Sequence, residues 1–285
     1  GNNGNNNNQP QALDARTEQW AQLASFQKMN NAECRCIIED EGGKLNLNAL
    51  IKDNQPNEML VAALRNLFEA MEVEEDPTDA ILDWLDEDDD VRDLGAESDD
   101  YESSEVPYSC KNGPMNSIEE LLLIRGITPE IYFGLNKDAQ KIEEEDEKKN
   151  EREYDEAGTR SLADLLTVHG HPDGKINVNT ARRELLEAVY VAQGGAPDQA
   201  EAVMQRQLSQ PLEAGEVQEP FVVESDFFRL QGDGRSGDTM VRVETYVLRT
   251  KRGSELPPQG QMFTPKKSDE PLAPSFVVWD WKVYR

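Results

Sequence analysis

Met240-Val241-Arg242-Val243-Glu244-Thr245-Tyr246-Val247-Leu248 alternates around Val241-Arg242-Val243-Glu244, the period of two that a half-buried strand requires. Upstream, residues 221–230 are rich in Val and Phe; downstream, residues 276–284 alternate around Trp279 and Trp281. Residues 232–237, with glycine at both ends, supply a turn between the first two, and residues 257–274 read as a loop. Three such strands in succession predict a meander. A further strand signal lies far upstream, where Cys34, Cys36 and Ile38 alternate with Arg35 and Ile37. The layout that joins these pieces is α+β, a helix-plus-sheet domain interrupted by a helical one. Residues 1–10 read as an Asn-rich flexible tail, 11–50 with 212–285 as the discontinuous α/β domain, and 51–211 as the inserted all-α domain.

The helical signals are local and carry their own start marks. Residues 13–26 can form a helix with Leu13, Trp20, Leu23 and Ala24 on one side. From Asn57 onward, Leu60, Leu64, Leu67, Phe68 and Met71 recur at helical spacing. Asp76-Pro77-Thr78-Asp79 offers a cap, an early proline and an early acid ahead of residues 80–85. Ser117-Ile118-Glu119-Glu120 is a capping box, and Thr128-Pro129-Glu130 begins another helix. Asn179-Thr180 precedes one with Leu185, Ala188, Val189 and Ala192 on a single face, and residues 197–208 give one more. Residues 143–156 read as a solvated, charge-rich insertion. Gly43-Lys44-Leu45-Asn46-Leu47-Asn48-Ala49 is echoed by Gly174-Lys175-Ile176-Asn177-Val178-Asn179-Thr180-Ala181, a strand-to-helix connector used twice.

Charge narrows the function classes. The 285 residues carry 57 acidic and 29 basic side chains, a formal charge of −28, which disfavours phosphate backbones and anionic membrane surfaces as partners. Seventeen of those acids and a single base, Arg92, lie between Glu72 and Glu105. Within that stretch Asp86, Asp88 and Asp90 take positions 1, 3 and 5 of a 12-residue loop closed by Glu97, the ligand spacing of an EF-hand. Val91 replaces the turn glycine and Asp93 an apolar residue, so the expectation is a noncognate acidic calcium loop, with Asp99 and Asp100 as alternative or additional ligands. A solvated charge run without an ion is the bland alternative.

Other motifs are weaker. Arg125-Gly126 joins two helices in the manner of a helix-hairpin-helix, but nucleic-acid binding needs more cations than this one arginine. His169 and His171 are the only imidazoles, and no nucleophile motif accompanies them. Combined with Cys34 and Cys36 they would make four zinc ligands at spacings unusual for zinc. A disulfide, if formed, would join Cys110 to Cys34 or Cys36, with Cys36–Cys110 the expected pair. No stretch is long and apolar enough for a membrane-spanning helix.

Several segments taken together resemble one family. They are residues 80–86 (Ala-Ile-Leu-Asp-Trp-Leu-Asp), Gly95-Ala96-Glu97 with Tyr101, Pro107-Tyr108, residues 116–121, Arg125-Gly126-Ile127-Thr128-Pro129-Glu130 and residues 174–181, with Ile38-Glu39-Asp40 before them and Phe227-Phe228-Arg229-Leu230 after. Their order and spacing are similar to those of the minor pseudopilin K of the bacterial type II secretion system. The resemblance implies a pilin-like N-terminal helix on an antiparallel sheet with a large helical insertion, and no catalytic activity. It implies calcium in the helical domain, a place at the pseudopilus tip with minor pseudopilins I and J, and contacts with secreted cargo. It also implies a periplasmic location, anchored in the inner membrane by a helix that precedes this sequence. On that reading Leu13, Trp20, Leu23 and Phe26 face the partner helices.

Overall fold

The computed structural model describes residues 13–22, 26–29, 31–134, 161–237, 239–251 and 274–284. Strand-forming residues from the two ends of the chain meet in one antiparallel sheet. Its strands are β1 (Gln27–Met29), β2 (Ala32–Asp40), β3 (Phe227–Ser236), β4 (Thr239–Lys251) and β5 (Pro274–Tyr284), side by side in that order. Cys36 pairs with Gly232 and Gly232 with Val243, while Arg35 pairs with Asp233 and Asp233 with Arg242. Paired residues share a face. One face therefore carries Cys34, Cys36, Ile38, Leu230, Val241 and Val243, and the other carries charge.

On the charged face Asp233 is buried and accepts from Arg35 and Arg242, each at 2.7 Å. Arg229 pairs with Glu39 and, at 3.6 Å, with Glu244. The turn expected over residues 232–237 comes later. β3 continues to Ser236, and the reversal uses Gly237 at φ +57°. Gly232 and Gly234 are strand residues opposite Cys36 and Cys34.

Between β2 and β3 lie α1 (Glu58–Ala70), α2 (Thr78–Leu85), α3 (Ser98–Glu102), α4 (Pro129–Phe133), α5 (Leu162–Leu165), α6 (Arg183–Ala192) and α7 (Gln199–Gln207). Their starts follow the cap chemistry. Asn57 accepts from the Leu60 amide, Asp76 from the Thr78 amide at 2.9 Å, and Thr128 from the Ile131 amide. Residues 118–123, after the expected capping box, form a 3-10 helix rather than an α-helix. Leu60, Leu64, Leu67 and Phe68 of α1 are wholly buried, as are Leu185, Leu186 and Val189 of α6, the helix that packs on it.

The two echoing passages do the same work. Leu45–Asn46 and Ile176–Asn177 are two-residue strands, each in a parallel pair. In each, the first asparagine accepts from the amide two residues on (3.1 and 3.0 Å). The second grips a distant backbone at both polar groups. Asn48 holds Met115 N–H and C=O at 2.8 and 2.9 Å, and Asn179 holds Leu212 at the same distances. The two copies touch: a Cβ on Gly43 would stand 2.5 Å from Thr180 Oγ1, so only glycine fits there.

The helix expected over residues 13–26 is not formed where the chain is described. Residues 13–15 have no regular structure, and a 3-10 turn covers only Gln19–Gln22; Leu23 and Ala24 lie outside the described residues. Competing partners explain the loss. The Asp14 amide donates to Val223 C=O at 2.9 Å, and its buried carboxylate pairs with Arg249 and accepts from the Ser225 amide at 2.8 Å. Docking of Asp14 against residues 223–225 and Arg249 thus replaces a helical turn. The tail at 1–10 and the insertion at 143–156 also lie outside the described residues. Among the described residues no helix is long and apolar enough to cross a membrane.

Candidate cation site

The acidic stretch folds as helix, loop, helix: α2, residues 86–97, then α3. Every residue of α2 is buried, and the helix ends at Asp86, so Asp83 and Asp86 both lie inside the protein, where they are almost inaccessible. Glu97, at the start of α3, is equally buried at 4% exposure. Gly95 admits the close approach: a Cβ there would fall 1.8 Å from Asp83 Oδ2.

Arg92 reaches back from the loop and donates to Asp83 Oδ1 and Asp86 Oδ2, each at 2.5 Å. What remains is a group of acceptors without donors. Asp86 Oδ1, both carboxylate oxygens of Glu97 and Asn112 Oδ1 are buried and unpartnered. The Cys110 thiol, a weak donor, lies beside Glu97 and also reaches the Asp83 carbonyl at 3.6 Å. Burial, and then the charges of Asp83 and Asp86, push the Glu97 carboxyl up to about 7. Burial likewise raises Asp86 and Asp83, against the pull of Arg92.

Buried acceptors that lack donors are costly, and for orphans on an acidic loop and the segment tied to it a hard cation is a natural remedy. Asp86, Glu97 and Asn112 fit such an ion chemically. Among the described residues no three His, Cys, Asp or Glu side chains are grouped as a ready-made metal centre. A cation here would therefore draw on Asn112 and on backbone carbonyls as well, which suits calcium better than zinc.

The sequence-predicted ligands divide. Asp86 and Glu97 are buried at opposite ends of the loop, whereas Asp88 and Asp90 are exposed. Asp88 accepts from Asn54 Nδ2 (3.0 Å) and from the Asp90 amide (3.1 Å). Asp100 accepts from the Glu97 amide and pairs with Arg125; Asp99 is exposed. Asp83 and Asn112 were not signalled by the 12-residue spacing. Asp83 precedes Asp86 by less than one helical turn. Asn112 takes φ +47°, a conformation asparagine tolerates, and ties the loop by donating to the Asp88 carbonyl and Asp89 Oδ1, both at 2.9 Å.

The remaining candidates lie apart. Leu13 packs against the core, Trp20 stands edge-on to Phe228 at 5.6 Å, and Phe26 lies beneath the guanidinium groups of Arg35 and Arg235. The expected Cys36–Cys110 bridge is not formed. All three cysteines are free, Cys36 exposed on β2 and Cys110 buried beside Asp83, where burial pushes its thiol up to about 12. His169 lies 4.3 Å from the Tyr246 ring, and His171 accepts from the Asp173 amide, so the four conceivable zinc ligands are not assembled. Arg125, the one base of the hairpin at Gly126, is engaged by Asp100 and by the carbonyls of Leu94 and Gly95.

Residues 43–137, which contain this whole loop, match the family model for type II secretion system (T2SS), protein K. Three curated relatives are type II secretion system protein K. The one from Pectobacterium carotovorum subsp. carotovorum is 30% identical over 41% of this chain and 39% of its own length. Those from Aeromonas hydrophila and Pseudomonas aeruginosa are each 26% identical. They match over 82% and 70% of this chain and 72% and 52% of their own lengths. This chain therefore spans from about two-fifths to under three-quarters of these relatives. A chain in the crystal structure of the GspK-GspI-GspJ complex from the enterotoxigenic Escherichia coli type 2 secretion system shares the fold. Its TM-score is 0.64 at 18% identity, over 97% of this chain and 88% of that one. The resemblance to protein K read from the sequence is borne out.

Proposed function

We propose, from a chain similar to type II secretion protein K, that this protein is a non-enzymatic minor pseudopilin whose helical domain is stabilised by calcium. The observation that carries the reading is an overlap: the segment that matches the protein K family model holds the orphaned carboxylates of Asp86 and Glu97. In this reading residues 11–50 and 212–285 are the pilin-like domain and 51–211 its insertion. The partners are minor pseudopilins I and J, in keeping with the complex in which the structural neighbour was solved. The subunit sits at the pseudopilus tip on the periplasmic side of the inner membrane, tethered in the full-length protein by an N-terminal helix. There it starts or caps assembly and contacts cargo, with the helical domain as the part that blocks further stacking.

Asp86, Glu97 and Asn112 would hold the ion, which supplies the positive charge that the buried oxygens lack. Thermal unfolding after chelation tests this. At a hundredfold excess over its dissociation constant, calcium should raise the midpoint by roughly 5–10 °C, and Glu97→Gln with Asp86→Asn should abolish the gain. An unmoved midpoint rejects the calcium part. Mixing with the soluble domains of I and J, followed by sedimentation, tests the rest; three species that sediment separately reject the assembly role.

A further inference from the structure

Arg92 is the only basic residue among the seventeen acids between Glu72 and Glu105. The structure does not leave it on the solvated outside of the loop. Its guanidinium bridges Asp83 and Asp86, whose side chains are 0% and 2% exposed, and is itself 27% exposed. Its backbone amide also donates to Asp83 (3.2 Å), and its carbonyl accepts from Gly95 (3.0 Å), closing the turn around the cluster. The bridge takes one oxygen of Asp86 and leaves the other buried without a partner. Both oxygens of Glu97, a side chain more than nine-tenths buried, have no cationic partner and only the weak Cys110 thiol as a side-chain donor beside them. Cationic charge is thus supplied to one side of the cluster and is missing from the other.

Resting on the calcium reading above, we propose that Arg92 is a built-in counter-cation: it holds the acidic loop closed when calcium is scarce, and it sets calcium affinity by competing for the Asp86 carboxylate. The two effects have opposite signs. Without metal, the guanidinium is the one positive charge between two buried carboxylates, and removing it leaves them to repel each other. With metal, the same positive charge opposes a dication held by the far side of a shared carboxylate. Repulsion between a unit charge and a dication that would share one carboxylate amounts to roughly a tenfold change in affinity even at the dielectric constant of water.

The test compares the parent chain with Arg92→Gln and Arg92→Lys after chelator treatment. Thermal unfolding is measured in chelator, and calcium binding by isothermal titration calorimetry. Arg92→Gln should unfold at lower temperature in chelator and bind calcium about tenfold more tightly. Arg92→Lys keeps the charge and should stay close to the parent in both measurements. Calcium binding by the parent with equal or weaker binding by a folded Arg92→Gln overturns the competition and leaves the calcium reading standing. An Arg92→Gln chain as stable as the parent in chelator overturns the clamp. Failure of both chains to bind calcium sinks the calcium reading and the competition together, whereas binding by Arg92→Gln alone is the strongest support for both.

Discussion

The helical body and the five-stranded sheet are held by different forces. Nearly every fully buried apolar side chain described belongs to residues 45–223; among the sheet side chains described, Leu248 is fully buried and only Phe228, Tyr246 and Val247 come close. The sheet relies instead on its hydrogen-bond ladders and on arginines that bridge strands, Arg35–Asp233–Arg242 and Glu39–Arg229–Glu244. Its other face, with Ile38, Leu230, Val241 and Val243, is only partly covered. A buried core answers to volume, and a clamped sheet answers to charge.

Substitutions can break that contrast if it is false. The largest effect belongs to the core. Leu64→Ala, at a wholly buried position of α1, should cost about 3–4 kcal/mol in urea unfolding; a loss below about 1 kcal/mol would mean the helical body is loosely packed. Next comes the charged clamp. Arg242 and Arg35 outweigh the burial of Asp233 and hold its carboxyl down at about 2. Because this lies below the ordinary value of 3.8, the folded state favours the charged form. The stabilisation is complete above about pH 4 and disappears as the pH falls toward 2. With the arginines partly solvated it amounts to about 1–2 kcal/mol, and Asp233→Asn should flatten stability over that window. An unchanged acid limb would remove Asp233 from the argument. The smallest effect is on the open face, where Val243→Ala should stay within about 0.5 kcal/mol. A larger loss would show that this face is covered.

Much of the helical body was legible because its signals are local. Asn57, Asp76 and Thr128 cap helices by bonds that reach only two or three residues. The strands were legible for the same reason, through alternation. Residues 13–26 have an equally good local pattern, yet Asp14 bonds to residues more than 200 positions away, and no window on the sequence contains that competition. The candidate site lay between these cases. Regular spacing picked out Asp86 and Glu97, but Asp83 and Asn112 enter through the fold, one from inside a helix and one from beyond α3. The glycines of β3 read as a turn because their neighbours on β2, Cys34 and Cys36, are far away in sequence.

The pairing of β2 with β3 also bears on how fast the chain can fold. Glu39 and Arg229 are 190 residues apart, and the Asp14 carboxylate meets the Ser225 amide across 211. Closing loops of that length early would cost chain entropy before any contact rewards it. Asn177 binds Asp40 on one side and Ser225 on the other, at 2.9 and 3.1 Å. Ser225 also donates directly to Asp40 at 2.7 Å, so the helical body, once formed, holds the end of β2 beside the entry to β3. The expected order of events is helices first, with β2 and β3 zipping last.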